Sequence, residues 1–320
     1  MRHRVILDCD NTFGKPYREI DDGLLILYLL GREDIELLGI TNTFGNGSLR
    51  DVSDCTVNIL ELLGRADLPR FDGVPYRGQN PAIAVTAKGE SRYANELDRH
   101  QHPTPAAEYL ARMVRSHPHE ITIIAAGPVG NLLDASKLHP GFFSDIRKIV
   151  SMGGYTEDLL IDGRPCRELN YSCNPEASHA MLHSGADLAV FNGHVCLDAP
   201  CTREDIDGIE FWPREVVQQV SYWLERNAQV FGAQRFFLWD LLPAVYLSRP
   251  DLFDDNRAWI NPTVESLTRG MLMPSAGSGT QIVMPTRILD RGAFNETVFS
   301  AWRHHAESWK ALKPELDWRA

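Results

Sequence analysis

Between the apolar run that opens at Val5 and the one that closes at Leu27, the sequence carries five carboxylates: Asp8, Asp10, Glu19, Asp21 and Asp22. Like charges crowded in this way repel. Carboxylates taken out of water must be paired, protonated or bound to a metal. Only Lys15 and Arg18 lie among them, too few to pair them all. A hard divalent cation is the better solution. Calcium takes six to eight oxygen ligands from carboxylates and backbone carbonyls, whereas magnesium prefers fewer protein ligands and more water. Either Asp21 or Asp22 alone would read as a helix N-cap. Four aspartates between Asp8 and Asp22 exceed what capping requires.

The elements that must position these acids alternate along the chain. Strands are expected at Arg4–Asp8, Ile35–Thr41, Ile121–Ala126, Ile146–Met152 and Ala186–Phe191. Helices are expected at Asp22–Leu30, Leu49–Leu63, Pro105–Ser116, Val129–Ser136 and Pro175–Ser184. Such alternation implies βαβ units, an α/β fold with an open, mostly parallel sheet flanked by helices. The strand cores lack period-two polarity, as expected when both faces are buried. After Cys201 the pattern turns helical, through Pro213–Gln229 and Leu241–Leu247. A β segment is expected at Gln281–Leu289 and a last amphipathic helix at Phe294–Leu312. Residues 68–104 read as a long lid or binding loop. A single domain over residues 1–320 is expected.

Open parallel sheets bind ligands outside the carboxyl ends of their strands. The segments there are oxygen-rich: Asp8 and Asp10, then Asn42 and Asn46 in "TNTFGN", "GPVGN", "GGY", and Glu168 with Asn170 in "CRELNYSCNPEA". They hold no concentration of Lys or Arg, which argues against a phosphate ligand, and "GPVGN" lacks the Gly-Lys-Ser/Thr of a P-loop. The histidines of "HQH" (His100–His102) and "HPH" (His117–His119) read as solvated loops, and His304 and His305 as helix surface. The net charge of −11 argues against nucleic acid or an anionic membrane as partner. Six scattered cysteines without a CxxC read as reduced thiols. With no signal region and no membrane span in the sequence, they suggest a cytoplasmic protein.

Two families share parts of the opening stretch. "ILDCDNT" resembles the haloacid-dehalogenase phosphatases, which would make Asp8 a nucleophile and Asp10 an acid/base; their later GDxxxD-type acidic motif is missing. A strand ending D-x-D followed by D-D opening a helix resembles the inosine–uridine-preferring nucleoside hydrolases, whose signature is DxDPGxDD. "GITNTFGN", "AAGPVGNL", "VSMGG", "ELNYSCNPEA" and "WDLLPAVYL" follow in that family's order over nearly the whole chain.

This second resemblance implies a Rossmann-like nucleoside hydrolase fold with Ca2+ at the strand C-terminal ends. Asp10, Asp22 and Asp240 would ligate it through side chains and Ala126 through its carbonyl. Asp21, Asn46, Glu168 and Asn170 would hold the ribose. Asp10 would be the general base that splits ribonucleosides into base and ribose, as in purine and pyrimidine salvage. The family tends to form homodimers or homotetramers.

The chain departs from the family in three places. "NTFGKPYREI" puts ten residues between Asp10 and Asp21, where the family usually has three; it could loop out or remodel the ribose pocket. Trp239 stands where many members have a leaving-group His. Purine-preferring members resemble the chain there, so Trp239 gives a lean to purines, equally weighted against an ordinary core aromatic. The family's flexible-loop His falls near Lys88, with Tyr93 a further stacking candidate. An impaired nucleoside- or ribose-binding protein is the alternative.

Overall fold

The computed structural model describes residues 2–73, 103–207, 209 and 211–312. The expected loop residues Lys88, Tyr93 and His100–His102 lie outside them. The strands are β1 (His3–Cys9), β2 (Ile35–Asn42), β3 (Arg70–Asp72), β4 (Ile121–Ala126), β5 (Lys148–Met152), β6 (Leu159–Ile161), β7 (Arg164–Cys166), β8 (Leu188–Phe191), β9 (Pro200–Thr202), β10 (Arg235–Phe237), β11 (Arg257–Ile260), β12 (Pro274–Ser275) and β13 (Thr280–Val283). The longer helices are α1 (Asp21–Gly31), α2 (Leu49–Leu62), α3 (Pro105–Ser116), α4 (Gly130–Leu138), α5 (Pro175–Leu182), α6 (Arg214–Phe231), α7 (Leu241–Ser248) and α8 (Arg291–Leu312).

Nine strands form one sheet in the order β12-β11-β13-β8-β5-β4-β1-β2-β3. The run from β3 through β13 is parallel. β11 and β12 close one edge in antiparallel fashion. The chain leaves β1 toward β2 and β3, then returns to the other flank of β1 as β4. The strand order therefore reverses between β1 and β4, and a crevice opens at their carboxyl ends. In the β1–β4 register Cys9 lies opposite Ala126, so Asp10 and Ala126 border that crevice.

Alternation along β1 divides the core into two layers. Val5, Leu7 and Cys9 face one layer with α1, α7 and α8, while Ile6 faces the other with α3 and α4. α1 is buried at every residue except Leu30 because it lies between the sheet and α8. An all-round apolar helix needs that double cover. Trp302 of α8 donates its indole N–H to Leu24 O at 2.9 Å, fixing α1 and so the acids at its start.

The expected strands and helices up to Phe191 are present, with ends displaced by one or two residues. After Cys201 the structure is less helical than its sequence pattern: β9 and β10 pair with each other, and β11, β12 and β13 extend the large sheet. The expected β segment at Gln281–Leu289 ends at Val283.

His305 corrects a second expectation. It is buried rather than on the helix surface, with its ring stacked on Trp309 at 6.1 Å between centroids. Burial lowers its pKa from 6.5 to about 4, helped by Arg65 and His304. A pKa lowered in the fold means that the neutral ring stabilises the native state above 6.5. That contribution is lost as the pH falls toward 4, by about 2 kcal/mol between about pH 7 and pH 5. A His305→Leu variant is expected to lose correspondingly less stability than the parent over that interval, as read from urea unfolding at the two pH values.

Candidate active site

Asp8, the next-to-last residue of β1, and Asp10, just past its end, have different hydrogen-bond partners and serve different ends. Asp8 points into the layer beneath the crevice. It accepts from Thr41 Oγ1 of β2 at 2.6 Å and Asn131 Nδ2 of α4 at 2.7 Å. Asn131 also donates to Asn42 O at 3.1 Å. Burial pushes the Asp8 carboxyl up to about 7 against these hydrogen bonds. It is a structural acceptor joining β1, β2 and α4. Asp10 faces the crevice. Its Oδ2 accepts the Asn46 backbone N–H at 2.6 Å. Gly45 allows this approach, since a Cβ there would overlap Asp10 Oδ2.

Asp21 and Asp22 open α1, but Ile20 is the N-cap residue and no side chain caps this helix. Asp240 stands at the N-cap of α7, again without a side-chain cap bond. Capping therefore explains none of the three. The Asp240 backbone N–H donates to Asp21 Oδ2 at 3.1 Å, bringing the two helix starts together. One carboxylate oxygen from each of Asp21, Asp22 and Asp240 lies within 4.8 Å of the other two. Asp21 Oδ1, both oxygens of Asp22 and Asp240 Oδ1 are buried with no hydrogen-bond partner among the described residues.

Burial is the first cause of the raised pKa values of Asp10, Asp21, Asp22 and Asp240. Their mutual repulsion adds to it at Asp10, Asp22 and Asp240. A donor set made of oxygens, buried, orphaned and mutually repelling, fits a hard divalent cation. Asp21, expected only at the ribose, belongs to this carboxylate group as well.

The ten-residue turn is buried at its two ends and carries its middle, Gly14 to Tyr17, outward, and the acids stay together. Asn11, Thr12 and Phe13 are buried, and Phe13 packs where a side chain on Gly23 of α1 would stand. Lys15 pairs with Asp51 of α2 at 2.8 Å. Arg18 donates to Asn46 O at 3.4 Å. Tyr17, with a left-handed φ of 61°, sets its ring 5.3 Å from that of Tyr222 on α6. The turn thus spans from α2 to α6. It also delivers Glu19, whose carboxylate lies against Asp21 and in the field of Asp22. The sequence carried that signal in its count of five acids, but the family signature has no counterpart at this position.

The other expected residues fall at the same end of the sheet. Asn170 donates to Met152 O at the end of β5 at 3.0 Å. Glu168 accepts three backbone N–H groups, from Gly154, Tyr171 and Ser172, at 3.1, 2.8 and 2.7 Å. It borders a cavity of about 430 Å³ that Tyr155, Cys166 and Ser172 also line. Its carboxylate therefore holds the loop shape as well as facing this space. Trp239 is partly exposed beside Asp240, its ring 5.3 Å from Phe237.

Residues 5–306 match the family described as inosine-uridine preferring nucleoside hydrolase. Uridine nucleosidase 1 of Arabidopsis thaliana is 27% identical over 268 residues, 81% of this chain and 80% of the relative. The pyrimidine-specific ribonucleoside hydrolase RihA of Shewanella oneidensis is 27% identical over 83% of this chain and 85% of its own length. Among solved structures, a purine-preferring ribonucleoside hydrolase from Gardnerella vaginalis superposes with a TM-score of 0.78 at 21% identity, over 95% of this chain and 99% of that one. With the acids gathered at the β1/β4 switch and the match running over nearly its whole length, the chain belongs to the inosine–uridine-preferring nucleoside hydrolase family.

Proposed function

We propose that the chain is a Ca2+-dependent nucleoside N-ribohydrolase that splits ribonucleosides into free base and ribose. The observation that carries this is the set of orphaned, buried oxygens of Asp21, Asp22 and Asp240 beside Asp10 at the switch point. Asp10, Asp22 and Asp240 would hold the cation, with the Ala126 carbonyl across the crevice. A divalent cation held there would supply the lowered pKa of a water and a positive charge for the ribose hydroxyls. Asp10 takes the proton of the attacking water, its carboxylate aimed by the Asn46 N–H. Positive charge grows on the sugar as the C–N bond breaks, and the surrounding carboxylates stabilise it. Asp21, Asn46, Glu168 and Asn170 orient the ribose.

Trp239, partly exposed next to Asp240, supports a lean to purine bases, whose larger ring gains more from stacking. The phosphatase alternative is disfavoured by Asp8, which is fully buried and held by two donors. The binding-protein alternative is disfavoured by the long turn, which leaves the acids together. One sheet drawing strands from both ends of the described chain supports a single domain over residues 1–320. Six free thiols support a cytoplasmic location, and among the described residues no helix is long and apolar enough to cross a membrane. A homodimer or homotetramer is the proposed assembly.

Purified protein incubated with a panel of purine and pyrimidine ribonucleosides is expected to release reducing sugar, to lose that activity with EDTA and to regain it with Ca2+. Asp10→Asn is expected to lower kcat by about 10²–10⁴-fold with an unchanged circular dichroism spectrum. Failure to release ribose from any nucleoside in the presence of Ca2+ would reject the proposal. Cation binding has a separate readout. Saturating Ca2+ is expected to raise the thermal midpoint by several degrees, the effect of about 2.7 kcal/mol at a hundredfold excess over Kd. Asp22→Asn and Gly45→Ala should abolish that rise. A rise that survives both substitutions would place the cation elsewhere.

A further inference from the structure

The cavity of about 430 Å³ has only one wall with a role so far, Glu168. It is built at the carboxyl end of the sheet. Tyr155 follows β5, Leu159 belongs to β6, Cys166 ends β7 and Glu168 comes just after it. The Tyr155 ring lies where a side chain on Gly193, two residues past β8, would stand. β5 is the neighbour of β4, and β8 the neighbour of β5. With strands about 4.8 Å apart, the cavity begins roughly 5–10 Å from the β4 side of the switch where the carboxylates gather. Asn170, bonded to Met152 O at the end of β5, stands between the two.

The lining is mostly apolar, from Tyr155, Leu159, Pro165 and Cys166. Leu160 lines it too and is 54% exposed, the highest value of any large apolar side chain among the described residues. Apolar surface is thus left open at the mouth. The volume falls within the range of small-molecule sites, which are largely apolar with a few polar groups. Those polar groups are already satisfied. Arg269 pairs with Asp158 at 2.9 Å. Glu168 takes N–H groups from Gly154, Tyr171 and Ser172, and neither of its oxygens is among the buried orphans found at Asp21, Asp22 and Asp240. A ligand that brings Glu168 no hydroxyl therefore leaves nothing stranded. Glu168, an acceptor throughout, has no donor to offer a phosphate.

We propose that this cavity receives the group on C5′ of the sugar, and that 5′-alkylthio-5′-deoxyribonucleosides, which carry an uncharged thioether there, are substrates. The inference rests on the hydrolase activity proposed above and names a substrate class for it. With the vicinal hydroxyls toward the metal-holding carboxylates and the base toward Trp239, C5′ is the ribose carbon whose substituent is left free. Glu168 is the ribose contact that opens on unfilled space. Water adds its oxygen to C1′ and gives a proton to Asp10. The C1′–N bond breaks, its electron pair passes to the base, and the base takes up one proton. One water is consumed, the C–S bond is untouched, and the products are the free base and a 5-alkylthio-5-deoxyribose.

The test measures kcat/KM of the full-length protein, with Ca2+, for three forms of inosine or uridine, whichever it cleaves faster: 5′-deoxy, 5′-deoxy-5′-methylthio and 5′-monophosphate. Burial of one methylene is worth roughly fourfold. The methylthio form is therefore expected to exceed the 5′-deoxy form at least tenfold, and the phosphate by more. Cys166→Phe and Thr268→Trp narrow the cavity, the first from its wall and the second from an exposed position at its rim. Each should remove most of the methylthio advantage while the 5′-deoxy form, which reports an intact fold and crevice, keeps its kcat/KM. Equal rates for the methylthio and 5′-deoxy forms in the parent, an advantage that survives both substitutions, or faster reaction of the phosphate overturns the inference and leaves the hydrolase standing. Release of sugar from none of the three forms, nor from the unmodified nucleoside, overturns both.

Discussion

Repulsion among buried carboxylates at the β1/β4 switch is the constraint around which the rest of the structure is arranged. Two unit charges within 4.8 Å of one another would repel by roughly 3 kcal/mol or more at an effective dielectric constant near 20. The starts of α1 and α7 both point toward this group, but a helix N-terminus returns only about 0.3–1 kcal/mol to a nearby anion. With several such pairs, the helix ends cannot balance the repulsion. A bound cation can. The orphaned oxygens of Asp21, Asp22 and Asp240 are thus strain kept for function and sustained by stability elsewhere. The support is visible: α1, which carries two of these acids, is gripped between the sheet and α8, and Trp302 ties the two helices together.

The group also joins segments far apart in the chain. The hydrogen bond from Asp240 N to Asp21 Oδ2 spans 219 residues. Metal binding and closure of the fold therefore act on the same contacts. Within that frame the Asn11–Ile20 turn is a built element. A left-handed Tyr17 costs about 1–2 kcal/mol, and unanchored residues would add disorder. Phe13 in the core, Lys15 on α2 and Tyr17 on α6 offset both costs. The turn can be long without moving Asp10 or Asp21 because its two ends are fixed by β1 and α1, and its middle is fixed by packing.

Much of this was legible in the sequence. The parallel sheet follows from apolar strand runs alternating with helices, and the site loops follow from oxygen-rich segments after each strand. The short strands β9 to β12 were not legible, because runs of two to four residues owe their pairing to distant partners rather than to local propensity, whereas β13 was expected but drawn too long. His305 was misread because the final helix is covered on more sides than its composition suggests. The membership of Asp21 in the carboxylate group was hidden by a different difficulty. Adjacent residues at a helix start point in different directions, and which of them meets Asp240 depends on how α7 docks. Glu19 was counted among the acids and then left without a role, since no motif assigns one at that position.

The two ends of the site differ in how tightly the fold controls them. On the proposed reading the ribose would lie against groups set by the sheet: Asp10 just after β1, Asn46 in the loop after β2, Ala126 at the end of β4 and Asn170, which is bonded to Met152 O of β5. Strand ends in one parallel sheet are fixed by register, so these oxygens cannot move independently. The base would then lie toward Trp239, with the Asn11–Ile20 turn and α6 nearby, parts held by side-chain packing and by the Lys15–Asp51 ion pair. Such parts can change length and charge without disturbing the sheet. The ten-residue turn is an element of that kind: it adds Glu19 beside Asp21, and Asp21, Asp22 and Asp240 each keep a carboxylate oxygen within 4.8 Å of the others. That part of the crevice is therefore where chains sharing this sheet can differ most without disturbing the strand ends.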